Sequence, residues 1–266
     1  MPWRVKKLGN LLDCAPAASR ARARRGGAGK HLALMPTRRY RPLVPAQLAF
    51  AAHRRELVPL PLAERFSRIF AANLWTGNSR SGLGSDLAAT GGLRRELPAL
   101  LERLGAASLL DVPCGDFGWL STVPLALDYI GGDIVPELVA SNEERFGGPG
   151  TRRRFLRLDL TADPLPAADV VLCRDCLVHL SFAHITQALD NIRRSGAAWL
   201  LTTTFLEHDG NVDIESGDWR MLNLTRPPFN FPEPAAVIVE GCHESDGAYS
   251  DKALAAWRVG DLGSRA

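Results

Sequence analysis

Between residues 107 and 205 the chain repeats one pattern: a short apolar run closed by an acidic residue, then a segment long enough for a helix. The runs cover residues 107–111, ending on Asp111; 129–133, ending on Asp133; 154–159, ending on Asp159; and 169–175, ending on Asp175. A fifth, residues 197–204, ends in the hydroxyls of Thr202, Thr203 and Thr204. Strands that alternate with helices pair in parallel through right-handed crossovers, so the pattern predicts a doubly wound α/β sheet. Such a sheet binds ligands outside the carboxyl ends of its strands, which is where the acids stand. Two more runs, residues 236–241 and 254–259, have only a short polar connector and predict an antiparallel pair. The expectation is a mostly parallel sheet of seven strands with an antiparallel C-terminal strand.

Upstream, Phe66, Ile69, Phe70 and Leu74 mark one amphipathic helix from about residue 62. Leu93, Leu97, Leu100, Leu101 and Leu104 mark a second over residues 86–104, and a Gly/Ser loop at 79–85 separates the two.

Charge divides the chain. Residues 1–55 hold 13 Lys and Arg against the single acid Asp13, a net of +12, while the remainder holds 19 basic and 28 acidic residues, a net of −9. The first stretch is Arg- and Ala-rich and is expected to be a disordered basic extension preceding one domain over residues 60–262. Its composition suits an organellar transit peptide, an extension without an address, or an anchor for an acidic partner. The acidic body argues against a nucleic-acid partner, whose phosphates call for a positive field on the folded domain. No apolar run nears the roughly 18 residues of a membrane span, so no membrane insertion is expected. Five cysteines in a chain this long do not suggest a disulfide framework, which fits a reducing, cytoplasmic setting. Cys173 and Cys176 form a C-x-x-C with no second pair at zinc spacing, and no metal is expected.

The richest segment is residues 109–119: a strand ending on Asp111, a turn holding Gly115 and Asp116, then a helix start. Such a turn lets backbone approach a ligand, and the helix N-terminus favours a carboxylate or phosphate. The dinucleotide fingerprint G-x-G-x-x-G is absent. Asp133 follows Asp111 by 22 residues at the end of the next strand, where an acid can accept both hydroxyls of a ribose; as a helix cap before Pro136 it would mean less.

The segment from Asp111 resembles the first motif of class I S-adenosylmethionine-dependent methyltransferases, an acid followed by a Gly-x-Gly-x-Gly turn. Pro113 and Phe117 replace the first and third glycines. The resemblance runs from about Phe66 to Val259 and includes residues 81–85, 173–180, 201–205, 217–220, 228–232 and 249–252, blocks similar to those of a poorly characterised branch of that superfamily. It implies a Rossmann-like methyltransferase sheet with an N-terminal helical lid and S-adenosylmethionine as cofactor. The nucleoside and its amino-acid tail would then be held by Asp111, Gly115, Asp116, Asp133, Ile134, Asp159, Leu160 and Arg174. Asp159 would take the adenine amino group; read alone, it is equally a turn acid before Thr161. Asp175 and His179, after the fourth strand, become candidate general bases, against a packing role for the histidine. Trp219, Arg220 and Phe229 lie after strand five and would grip the acceptor, against ordinary loop packing for the rings. A buried Arg220 would call for an anionic partner.

The resulting expectation is methyl transfer to oxygen or nitrogen of a small-molecule acceptor. Two alternatives remain open: a methyltransferase-like binding or scaffolding protein without activity, kept alive by the altered glycines, and a nicotinamide-dependent oxidoreductase.

Overall fold

The computed structural model describes residues 43–242 and 247–263. Its strands are β1 (Ser108–Asp111), β2 (Asp128–Asp133), β3 (Arg153–Arg157), β4 (Val170–Cys173), β5 (Trp199–Phe205), β6 (Ala236–Val239) and β7 (Lys252–Arg258). They form one sheet in the order β3-β2-β1-β4-β5-β7-β6. The first five are parallel, and β7 runs antiparallel to both β5 and β6. The chain reverses its direction of sheet growth between β1 and β4, which pair from Leu109 opposite Val170 to Asp111 opposite Leu172. A crevice opens at the carboxyl ends there, because connections leave β1 and β4 towards opposite faces.

Strand side chains alternate between faces, and the two faces carry separate cores. Leu110, Val171 and Leu200 pack with Ile185, Ala188, Leu189 and Ile192 of α5 (Phe182–Arg194). Leu109, Val170, Leu172 and Leu201 pack with Leu93, Leu97, Leu100 and Leu101 of α3 (Gly91–Arg103). α3 starts later than its leucine spacing predicts, because Thr90 is turned back on the Asp86 carbonyl and residues 83–85 form only a single tight turn. The fourth helix, α4 (Pro136–Phe146), lies against β2 and β3.

The expected basic extension lies outside the described residues up to residue 42, and its last part is corrected. Residues 45–57 form α1 (Pro45–Leu57), which starts with proline in its first turn and buries Phe50 and Leu57. With α2 (Leu62–Ala71) it builds a small separate core of Phe50, Leu57 and Ile69, flanked by Phe66, Leu74 and Trp75. The lid is therefore α1, α2 and the loop after them; α3, expected as its second helix, is committed to the sheet by its four buried leucines. Arg65 of α2 fastens the lid, donating to the carbonyls of Ser216 (2.8 Å), Leu60 (3.1 Å) and Val58. Gly217 sits beneath at φ +103°, where a Cβ would fall 2.9 Å from both Ile69 and Phe50. Among the described residues no helix is long and apolar enough to cross a membrane.

Candidate active site

At the switch point the chain ends of β1, β2, β3 and β4 surround a cavity of about 1010 Å³, counting the space open to solvent. Asp111, Gly115, Asp133, Ile134, Asp159, Leu160, Arg174, Asp175 and His179 all line it. Residues separated by up to 68 positions are brought together because parallel strands present all their carboxyl ends on one side.

Asp133 reaches across from β2 to β1. Its Oδ2 accepts the Gly115 N–H at 3.0 Å and its Oδ1 the Val135 N–H at 3.0 Å. It does not cap α4, whose cap position is Val135. Burial pushes its pKa up to about 6, against the backbone N–H groups of Val135, Gly115 and Ile134. Asp111 is also buried and accepts the Tyr129 hydroxyl at 2.8 Å; burial, with the nearby Asp133 charge, pushes its pKa up to about 7. An acid with a raised folded pKa takes up a proton on folding, so its contribution to stability falls as pH rises from about 4 to about 7. Asp111→Asn is therefore expected to stabilise the unliganded protein by about 4 kcal/mol at pH 8, with the gain gone by about pH 4. Urea denaturation at the two pH values measures this; an equal difference at both would show that Asp111 is not a buried, unpaired carboxylate.

In the turn after β1, Pro113 and Phe117 stand at two of the three glycine positions and Gly115 at the remaining one. Phe117 holds φ +55°, the left-handed region a glycine would occupy, and its ring is buried among Tyr129, Phe146 and Phe155. That aromatic packing offsets a backbone cost of order 1–3 kcal/mol. Gly115 at φ +55° is required twice over, since the Ser81 hydroxyl stands where its Cβ would be.

Asp116 does not face the cavity wall. It secures the lid loop: its Oδ2 accepts Ser79 Oγ (2.8 Å) and Arg80 N–H (3.0 Å), and its own N–H donates to Ser81 Oγ (2.8 Å). Asp159 serves its turn, accepting the N–H and hydroxyl of Thr161 on Oδ1, while also lining the cavity beside Leu160.

Beyond β4 the site is built on ion pairs. Arg174 donates to Glu240 through Nε (3.2 Å) and Nη2 (2.6 Å) and to the Gly84 carbonyl (2.8 Å), and lies 3.2 Å from Asp175. Lys252 meets Asp175 at 2.7 Å and Glu240 at 3.4 Å. The two cations hold the Asp175 carboxyl well below the usual carboxylate range although it is buried. Thr203 at the end of β5 completes this site, accepting the Asp175 N–H at 2.8 Å. His179 Nδ1 lies 2.8 Å from the Asp218 carbonyl, which can only accept, so Nδ1 carries the proton and Nε2 the lone pair. Its ring stacks on Trp75 at 4.6 Å, and burial pulls its pKa down to about 4.

Two sequence expectations for the acceptor side are corrected. Arg220 is buried, but its partners are neutral: it donates to the carbonyls of Leu177 (2.7 Å), Leu180 (2.6 Å) and Val212 (3.3 Å) and tightens the turn that carries His179. Arg220→Met is expected to cost about 2 kcal/mol of stability, since three carbonyls lose their donor. A variant that melts like the parent would contradict this role. Phe229 packs edge-on against Phe182 at 5.3 Å, away from either cavity wall. Trp219 does reach a second cavity, which adjoins the first.

Lys252 and Glu240 carried no role in the sequence reading. Glu240 stands after an apolar run, as Asp111 and Asp133 do, and that signal could have found it; Lys252 opens a strand whose next five residues are apolar.

No protein family and no curated protein matches the chain. Among solved structures it resembles a 1,6-didemethyltoxoflavin-N1-methyltransferase of Burkholderia thailandensis, solved with 1,6-didemethyltoxoflavin and S-adenosylhomocysteine, with TM-score 0.51 and 16% identity over 82% of this chain and 92% of that one. The methyltransferase domain of a bacterial CtHen1 gives TM-score 0.49 and 14% identity over 67% and 100%. Human N-acetylserotonin methyltransferase gives TM-score 0.45 and 15% identity over 81% of this chain and 60% of that one. The strand order, the single antiparallel insertion at β7 and the first of these likenesses show a class I S-adenosylmethionine-dependent methyltransferase fold.

Proposed function

We propose that the chain binds S-adenosylmethionine at the switch point and transfers its methyl group to an oxygen or nitrogen of a small-molecule acceptor. The observation that carries this is the charge of the main cavity. Asp111 and Asp133 are buried there, held by the Tyr129 hydroxyl and by the Gly115 and Val135 N–H groups with no ion pair to either among the described residues, and burial raises the pKa of both, to about 7 and about 6. A ligand bearing a sulfonium and an ammonium supplies positive charge to such a wall. A dinucleotide brings a pyrophosphate, for which Arg174 is already spent on Glu240 and Asp175. Arg80, also on the wall, donates to the Phe70 carbonyl.

The residues present fit the cofactor. Asp133 would take the ribose hydroxyls, Asp159 and the Leu160 N–H the adenine, and the turn at Gly115 the amino-acid tail. When bound, the cofactor supplies an activated methyl group on a cationic sulfur. The chain's own work is alignment and exclusion of water: the Ser79–Ser81 segment, pinned by Asp116, and Trp75 close over the cavity. Of the two candidate bases, Asp175 is paired with two cations, whereas His179, though a weaker base than a free imidazole, keeps an unprotonated Nε2 that, among the described residues, no ion pair occupies. Reading the chain as an inactive binder drew on the altered glycines at 113 and 117; Phe117 keeps a positive φ, which supports an intact turn at that one position.

The test is incubation of the protein with S-adenosylmethionine and fractionated pools of small hydroxyl- and amine-bearing metabolites, followed by mass spectrometry. The expected result is S-adenosylhomocysteine formed together with a product one methylene heavier than a pool member. Cofactor binding with no demethylated product from any pool would favour the binding protein.

A further inference from the structure

A second cavity of about 590 Å³, again counting open space, lies on the far side of His179. Trp75, Ser81, Asp175 and His179 line both cavities, so these four side chains are the partition between them. One part of its wall is aromatic, and Val44, Pro45, Ala46 and the Gly82–Gly84 backbone form another. Trp219 meets Tyr249 edge to face at 5.3 Å and Phe205 at 6.0 Å, and Trp75 closes the side towards the lid. Its polar groups gather at the partition: His179, Asp175 and the ammonium of Lys252.

We infer that this second cavity is the acceptor chamber and that it takes a small aromatic compound bearing a ring hydroxyl, with His179 receiving the hydroxyl proton and Lys252 stabilising the oxygen's negative charge. The inference rests on the methyl-transfer reading above and names its acceptor class. Trp75 and Trp219 are half-buried and keep ring surface for another ring, with Trp219 backed by the buried Phe205 and Tyr249, and flat apolar surface is what such rings reward. Charge selects the reacting group. Asp175 is neutralised by Lys252 and Arg174, leaving no spare carboxylate to hold a cationic amine. Lys252 has three N–H groups; it donates one to Asp175 at 2.7 Å and lies 3.4 Å from Glu240, so among the described residues the two carboxylates engage at most two of them. An oxygen carrying developing negative charge suits the remaining one.

In the reaction the acceptor O–H bond breaks and its proton goes to His179 Nε2. The oxygen forms a bond to the methyl carbon, and the electron pair of the broken C–S bond stays on sulfur, which leaves as the neutral thioether S-adenosylhomocysteine. The sulfonium's positive charge thus reappears on the imidazole, which releases its proton to water after the ether leaves.

4-Nitrophenol is a suitable probe, because its ionisation is visible by absorbance. Titrated into the full chain saturated with S-adenosylhomocysteine, it is expected to bind with its ionisation constant raised about tenfold, the effect of a nearby cation. Cyclohexanol, with a hydroxyl but no aromatic ring, is expected to bind at least about tenfold more weakly. Trp219→Ala is expected to weaken 4-nitrophenol about tenfold while Trp219→Phe stays within about threefold, and neither should move S-adenosylhomocysteine affinity. Lys252→Met is expected to abolish the shift in ionisation. An unshifted or lowered ionisation constant in the parent protein would overturn the inference without any variant, as would cyclohexanol binding equally well or 4-nitrophenol displacing S-adenosylhomocysteine. If S-adenosylhomocysteine itself fails to bind, the cofactor reading falls separately, and the same titration of the unliganded protein still decides whether the chamber takes a phenol.

Discussion

Asp133→Ala is expected to weaken S-adenosylmethionine binding by roughly 2 to 4 kcal/mol, about 30- to 1000-fold, in a protein that remains folded. A carboxylate accepting two ribose hydroxyls makes two bonds to a charged acceptor, each worth about 1.5 to 3 kcal/mol and partly coupled. Shortening it to a methyl removes both, and also frees the Gly115 N–H that now donates to Oδ2 at 3.0 Å, loosening the turn that would meet the amino-acid tail. The parent protein should show the same loss by titration. Because burial raises Asp133 to about 6, the carboxylate is protonated as pH falls through that value, and a protonated acid is a weaker acceptor. Cofactor affinity should therefore decline below about pH 6, and Asp133→Asn should lose that step while keeping any step near pH 7 that comes from Asp111. Isothermal titration at several pH values measures both. Parent-like affinity in a folded Asp133→Ala protein would remove the ribose assignment.

His179→Ala should act on the other half of the reaction. A positioned base contributes about 10² to 10⁴ in rate, so turnover is expected to fall by that factor while S-adenosylmethionine affinity stays within about twofold. With Nδ1 committed to the Asp218 carbonyl, only Nε2 can receive a proton. Burial holds the ring neutral down to about pH 4, so at saturating cofactor the rate should not fall with acid until well below pH 6. At lower cofactor concentrations, an acid limb between about pH 6 and 7 would belong to cofactor binding through Asp133 and Asp111. A rate loss under about tenfold would leave the histidine as packing against Trp75, the ring it stacks on at 4.6 Å.

What the sequence made legible is the part governed by local periodicity. Strand-then-acid repeats located β1, β2, β4 and the switch point, because a parallel buried strand must be a short apolar run and its carboxyl end must meet solvent or ligand. The antiparallel pair β6–β7 followed from a connector too short for a helix. Residues whose meaning depends on three-dimensional neighbours were not legible. Arg220 has the side chain of an anion binder, yet three backbone carbonyls, 8, 40 and 43 residues away, already occupy it. Asp116 falls inside the glycine motif but is turned towards the lid loop, 35 to 37 residues earlier. Lys252 and Glu240 matter because β7 is inserted between β5 and β6, which carries them to the end of β4. The boundary of the basic extension was misplaced because α1 is amphipathic only through Phe50 and Leu57, a sparse stripe among alanines and arginines that declares itself when α2 packs on it.

The most direct test is calorimetric titration of the full chain with S-adenosylmethionine, S-adenosylhomocysteine and NAD in turn. One site per chain in the micromolar range for both sulfur nucleosides, weakened in Asp133→Ala, with no heat from NAD, is the expected result. Binding of NAD alone, or no binding of either sulfur nucleoside to the folded protein, would contradict the assignment of the switch-point cavity.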